Sequence, residues 1–179
     1  AERNKDKVYL YFEDQAISYL QLRDRTARIA NGLVDLGVKK DDKVAIMGYN
    51  SPEHVYSMFA ISTIGAVHVP VNAALKSDGL IYIVNQSDSE TLMVEQELWE
   101  SVEPVRDKLA NIKRTIILPS SGEGGSNSPP GCISLEELYR SSNKAPRVLL
   151  QPGDMTRILY TSGTTGLPKG TVTRRASPS

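Results

Sequence analysis

The stretch 43–71, KVAIMGYNSPEHVYSMFAISTIGAVHVPV, decides the fold. It opens with a short apolar strand over 43–48. Ser51-Pro52-Glu53 then starts a helix, with a hydroxyl to cap the first N–H groups, a proline in the first turn and a carboxylate near the positive end of the helix dipole. The helix runs to about residue 64, carries no charge after Glu53 and is apolar nearly all round, the pattern of a helix buried between layers. Residues 65–71 form the next strand. Strand, helix and strand in succession predict a parallel pair joined by a crossover helix.

The same alternation extends in both directions. Upstream, 8–12 (Val-Tyr-Leu-Tyr-Phe) is rich in β-formers, a turn falls at Glu13-Asp14, and a second short strand lies around Ala16-Ile17. Ser18 with Gln21 makes a capping box, and Tyr19, Leu22, Ile29, Ala30, Leu33 and Leu36 share one face of the helix that follows. Gly37 ends that helix. Downstream, the pattern predicts a helix over 78–85, a strand over 91–95, a helix over 97–109 and a strand over 114–118. The Gly/Ser/Pro-rich run 120–131 reads as a flexible surface loop (119–133 at its widest) rather than a domain boundary. A short helix capped by Ser134 spans 135–140, a linker carries Pro146 and Pro152, and a last strand spans 156–161. The expected class is therefore α/β, a layered and mostly parallel sheet flanked by helices.

Composition excludes several functions. Lys plus Arg (21) balances Asp plus Glu (21) in 179 residues, so no net field favours nucleic acid or an anionic membrane. Arg23, Arg25 and Arg28 read as a solvated helix face beside Asp24 and Asp35, and cations interleaved with stacking aromatics are missing. The longest uncharged stretch, 54–75, is broken by Ser57, Ser62, Thr63, His68 and Pro70, and reads as a buried helix plus a strand rather than a membrane span. His68, a lone histidine in an apolar segment, reads as a satisfied interior or edge residue rather than a metal ligand. The single cysteine, Cys132, allows no internal disulfide and suits a reducing, cytoplasmic setting. No signal peptide opens the chain, and a start at Ala1 suggests a cut or processed N-terminus.

The chemistry lies in the run 160–170, YTSGTTGLPKG, directly behind the last strand. Gly163, Gly166 and Gly170 permit positive φ and let backbone N–H groups approach a ligand closely. Thr161, Ser162, Thr164 and Thr165 add hydroxyl donors without bulk. Lys169 supplies a mobile positive charge suited to phosphate oxygens. Pro168 biases Leu167 toward an extended backbone and stiffens the exit. Such a loop at the C-terminal end of a strand makes a concave anion site where open α/β sheets bind ligands. A Walker A loop would need Gly before the lysine and Ser or Thr after it, where this chain has Pro168 and Gly170; the Rossmann glycine spacing is absent too. A plain Gly/Thr-rich surface loop would account for single glycines, but not for this ordered run behind an apolar strand.

Residues 160–170 resemble the signature of the adenylate-forming superfamily: acyl-CoA synthetases, peptide-synthetase adenylation domains and luciferase-like enzymes. Ile17-Ser18-Tyr19, the Gly37 to Ile46 segment, Asn50-Ser51-Pro52-Glu53, the Gly65 to Asn72 segment and Pro152-Gly153-Asp154 resemble the family's opening as well. Ala74-Leu75-Lys76 and Asn85-Gln86-Ser87-Asp88 look most like fatty-acid or carnitine-type CoA ligases. The resemblance implies an incomplete part of the large N-terminal domain of an acyl-CoA synthetase-like fold. It also implies a two-step reaction, in which a carboxylic acid attacks ATP to give an acyl-adenylate and coenzyme A then takes the acyl group, with Mg²⁺ assisting. In that scheme Thr161, Ser162, Gly163, Thr164, Thr165, Gly166 and Lys169 hold the β- and γ-phosphates, and Lys169 stabilises the charge of the leaving phosphates.

After Gly170 the chain departs from the family's usual apolar run and histidine, reading Thr171-Val172-Thr173-Arg174-Arg175-Ala176-Ser177-Pro178-Ser179. Residues 1–170 are thus expected to form the N-terminal part of an AMP-binding domain, and 171–179 a polar, basic tail unrelated to the fold. Arg174 to Ser177 also resembles a basophilic kinase substrate. In the family, the adenine, acyl and metal-ordering residues lie downstream, so the isolated chain is expected to lack a complete active site. Two readings remain: part of an acyl-CoA ligase active only as the full-length protein, or a short nucleotide-binding or inactive interaction module derived from one.

Overall fold

The computed structural model describes residues 5–120, 128–161 and 167–177. Strands β1 (Val8–Phe12) and β2 (Gln15–Ser18) form an antiparallel hairpin leading into α1 (Tyr19–Asp35). Then follow β3 (Lys43–Met47), α2 (Pro52–Thr63), β4 (Val67–Val71), α3 (Ser77–Gln86), β5 (Ser89–Glu95), α4 (Trp99–Val102), β6 (Arg114–Leu118), β7 (Ile133–Ser134), α5 (Leu135–Leu138), β8 (Met155–Thr161) and β9 (Lys169–Arg174). The main sheet has the order β7-β6-β5-β3-β4-β8-β9. Every neighbouring pair in it is parallel except β8 and β9.

Alternation along the central strands builds two cores. Val44 and Ile46 of β3, Met93 of β5, and Ile116 and Leu118 of β6 pack with α1, α2 and α5 on one face. Ala45, Met47, Leu92, Val94 and Ile117 point the other way, onto α3 and the segment around α4. Strands buried on both faces read as continuous apolar runs, which is why 43–47 and 114–118 carried a clear signal.

The helix starts follow local chemistry. The Ser18 hydroxyl accepts from the Gln21 N–H (3.2 Å), and the Gln21 side chain accepts from the Ser18 N–H (2.8 Å). Ser51 caps α2 by accepting from the His54 N–H, and Ser134 with Glu137 forms a second capping box at α5. Gly37 sits at φ +83° just beyond α1, where the Gly37 and Val38 N–H groups bond back to Val34 and Leu33. Gly32 is needed for a different reason: a Cβ there would lie 2.6 Å from Leu138 Cγ, so its bare backbone is what lets α5 seat against α1.

Four expectations change. The helix expected over 97–109 is broken into a 3₁₀ turn (Gln96–Leu98), α4 and a second 3₁₀ turn (Glu103–Lys108), because Pro104 offers no N–H to the ladder and crowds the preceding turn. Arg25 and Arg28 do more than meet solvent: Arg28 donates to the carbonyls of Tyr139 and Ser141, and Arg25 stacks on the Tyr139 ring at 4.5 Å. Ile133 and Ser134, at the end of the expected loop, form β7 against β6; residues 121–127 of that loop lie outside the described residues. Most consequential, Thr171 to Arg174 is no tail. It continues β9, so a boundary at Gly170 cuts through a strand, and the β-favouring Thr-Val-Thr outweighs the basic composition.

Candidate phosphate-binding hairpin

Strands β8 and β9 carry the candidate loop as a hairpin. Thr161 pairs with Lys169, and Tyr160 with Gly170. Residues directly opposite in an antiparallel pair project from the same face with Cβ atoms about 5 Å apart. Thr161 and Lys169 therefore stand side by side at the mouth of the loop, both exposed. Of the residues singled out from the sequence, these two are brought together; Ser162, Gly163, Thr164, Thr165 and Gly166 lie outside the described residues. Gly170 is occupied in a specific way. A Cβ on it would come within 2.9 Å of Ile158 Cγ2 and 3.2 Å of the Tyr160 ring, so the missing side chain gives the tyrosine its room.

The hairpin lies beside β4, and the C-terminal ends of β3, β4 and β8 meet at a cavity of about 450 Å³ lined by Tyr49, Asn50, His54, Asn72, Leu159 and Tyr160. This is the strand end where ligands bind in open parallel sheets. Below it, the Tyr49 N–H donates to the Glu95 carboxylate at 2.6 Å. Gly48 permits this arrangement: a Cβ there would sit 3.3 Å from both Glu95 Oε2 and His54 Nδ1. A larger concavity, about 900 Å³, opens elsewhere, beside Arg25, Glu53 and Tyr139, and none of its lining belongs to β8 or β9.

His54 and His68 stack edge-on with centroids 6.2 Å apart. His68 is 7% exposed, and its Nε2 finds no hydrogen-bond partner among the described residues. Burial above all, then His54, then Arg157, pushes the His68 pKa down to about 4, and burial lowers His54 as well. A folded-state pKa below the ordinary 6.5 means that unfolding takes up a proton between those values. Stability is then fully present above about pH 6.5 and falls as pH drops toward 4, by about 3 kcal/mol from His68. Urea unfolding at neutral pH and at pH 4.5 checks this: the wild-type midpoint should drop, and His68→Gln should lose most of the extra acid sensitivity.

Sequence reasoning missed His54, Glu95, Tyr82 and Gln86. Each works through a contact between distant elements, and no local motif announces it. Cys132 is half-buried, with its thiol pKa raised chiefly by burial, which does not favour the reactive thiolate.

The family model for AMP-binding enzymes matches residues 1–177, across the whole of β9. Over 172 residues the chain is 32% identical to 4-hydroxybutyrate--CoA ligase 2 of Metallosphaera sedula, covering 93% of this chain and 31% of that protein. It is 34% identical over 166 residues to indoleacetate--CoA ligase of Aromatoleum aromaticum, covering 92% and 31%. The crystal structure of the anthranilate CoA ligase AuaEII with anthranoyl-AMP superimposes with a TM-score of 0.86 at 27% identity, over 95% of this chain and 32% of that one. The chain thus spans about a third of the length of these relatives. Matched by the family model over nearly its whole length, the chain belongs to the AMP-binding enzyme family.

Proposed function

We propose that this chain is the phosphate-gripping part of an acid–thiol ligase of the acyl-CoA synthetase type. The full-length protein activates a small-molecule carboxylic acid with ATP and passes the acyl group to coenzyme A. The observation that carries this reading is the hairpin: in a member of this family whose sequence reads YTSGTTGLPKG over 160–170, β8 and β9 pair at the edge of a parallel sheet with Thr161 opposite Lys169. Relatives named for 4-hydroxybutyrate, indoleacetate and anthranilate support a carboxylic acid as the substrate class.

The reaction sets a carboxylate against a polyphosphate, and the two anions repel. In the first step a carboxylate oxygen bonds to the α-phosphorus, pyrophosphate leaves and an acyl-adenylate remains. Thr161, Ser162, Thr164 and Thr165, the backbone N–H groups near Gly163 and Gly166, and the Lys169 ammonium are the proposed grip on the β- and γ-phosphates. They hold the leaving group in line and offset the charge that grows on it. In the second step the thiol of coenzyme A bonds to the acyl carbon and AMP leaves. Mg²⁺, when bound, would add positive charge at the phosphates. Among the described residues there is no group of three or more His, Cys, Asp or Glu suited to hold a metal ion. A cytoplasmic setting belongs to this proposal, supported by the lone, unbridged Cys132.

The test is exchange of labelled pyrophosphate into ATP by the full-length protein, across a panel of carboxylic acids. Exchange that depends on the acid is expected. ATP turnover indifferent to every acid would overturn the reading.

A further inference from the structure

Helix α3 touches both stems of the phosphate hairpin. The Tyr82 hydroxyl donates to the Pro168 carbonyl at 3.1 Å, just before β9 begins. One turn further along α3, the Gln86 side-chain oxygen accepts from the Tyr160 hydroxyl, just before β8 ends. Tyr82 and Gln86 are four residues apart and therefore share one face of the helix. The two contacts grip the two strands on either side of the loop, across a pair of residues (Tyr160 and Gly170) that themselves lie opposite one another.

The helix making these contacts is well anchored. Leu80, Ile83 and Val84 are buried in the core beneath it. At its C-terminal end the Asn85 side chain donates to the Lys108 carbonyl (2.9 Å) and accepts from the Ala110 N–H (3.0 Å). Ser87 follows, with its hydroxyl bonded to the Val84 carbonyl and to Ser89. The hairpin has less support of its own: β9 is exposed along its whole length, and Leu159 and Val172 are each over 40% exposed. Gly170 completes the arrangement, because its missing side chain leaves the Tyr160 ring free to lie across β9 with its hydroxyl toward Gln86.

We infer that Tyr82 and Gln86 are positioning residues that clasp the entry and exit of the phosphate loop and so hold Thr161 and Lys169 at a fixed separation for the nucleotide. This rests on the ligase reading for its kinetic consequence, but not for the clasp itself. A loop held in its binding geometry before ATP arrives loses less freedom on binding, whereas a loop that is only fractionally competent binds with an affinity reduced by that fraction. The chemistry after binding is the same in both cases. Loss of the clasp should therefore act on the KM for ATP more than on kcat.

Two measurements test this on Tyr82→Phe and Gln86→Leu, with Gln86→Glu as the variant that keeps an acceptor. The first is amide hydrogen exchange at Thr161, Leu167, Lys169 and Gly170 in the 179-residue chain. Exchange there should quicken about fivefold in Tyr82→Phe and Gln86→Leu, the scale of one lost hydrogen bond. Gln86→Glu should stay near the wild-type rate, and core amides of β3 and β5 should not change. The second is kinetics of the full-length protein, where the KM for ATP should rise about fivefold in the first two variants, with kcat and the KM for the acid within about twofold of wild type. Unchanged exchange at the four amides overturns the clasp whether or not the protein is a ligase. Faster exchange with an unaltered KM for ATP overturns the positioning role. A wild-type protein without acid-dependent exchange of pyrophosphate counts against the ligase reading alone, since the amide measurement still decides the clasp.

Discussion

Replacing Lys169 with alanine in the full-length protein is expected to slow acyl-adenylate formation by about 100-fold, the effect of removing one preorganised donor from a developing anion. The loss should fall mainly on kcat with saturating ATP, because charge on the departing pyrophosphate grows as the bond to the α-phosphorus breaks. Affinity for the carboxylic acid should change far less. Lys169 is exposed and opens β9 opposite Thr161, so its side chain supports no core and the variant should fold with an unchanged melting temperature. Lys169→Arg keeps the charge but presents a planar fork in place of a compact ammonium, and partial recovery is expected. Single-turnover formation of the acyl-adenylate separates this step from later ones. An adenylation rate equal to wild type in Lys169→Ala would remove the residue from its assigned role.

The second large effect is on stability. Gly32→Ala is expected to destabilise the fold by about 2 kcal/mol, in the range for overpacking a close contact. The usual gain from Gly to Ala within a helix, about 1 kcal/mol, should be overridden here. The added methyl would stand 2.6 Å from Leu138 Cγ, 2.7 Å from its Cβ and 2.9 Å from its Cα. A flexible side chain could swing clear; a backbone Cα cannot, so α5 must shift as a whole. That shift would loosen Leu135 and Leu138, both buried, and strain the hydrogen bonds from Arg28 to the carbonyls of Tyr139 and Ser141. For a domain of this size the melting temperature should fall by about 6 °C. A variant as stable as wild type or more so would mean that α5 is held far less firmly than its contacts indicate. Leu138→Ala in the same background should recover part of the loss, because it removes Cγ, the nearest of the three clashing atoms.

What could be read from the sequence was whatever is decided within a few residues. The Ser18 and Gln21 capping box, the Ser51-Pro52-Glu53 start of α2 and the Gly37 stop are each closed by groups three to five positions apart, and each formed as expected. The buried strands were legible because burial on both faces demands unbroken apolar runs. The candidate phosphate loop is proposed on composition (glycines, hydroxyls and a lysine in a fixed order), and residues 162–166 of it lie outside the described residues. Its scaffold was not legible. Nothing local says that Thr171 to Arg174 returns antiparallel along β8, or that Tyr82 reaches Pro168 across the chain. Pro104 did carry a local signal, and a strict reading of its missing N–H would have broken the helix that follows β5. His68 was expected to be a satisfied interior residue, but packed against His54 of α2 its Nε2 has no partner among the described residues, and nothing local in the sequence signals this.

The position of β8 in the sheet has a consequence for the order of events during folding. β3 pairs with β4 across α2, and β5 pairs with β6 across the segment around α4, so these pairings close over short loops. β8 pairs in parallel with β4, but it reaches that strand only after β5, β6, β7 and α5 have intervened. Parallel pairing over so long a loop is slow, because chain entropy is lost before the contact forms. The hairpin that carries Thr161 and Lys169 is therefore expected to dock last, onto a sheet already assembled. Phosphate affinity would then appear in a refolding experiment as the final phase, later than the recovery of helical signal.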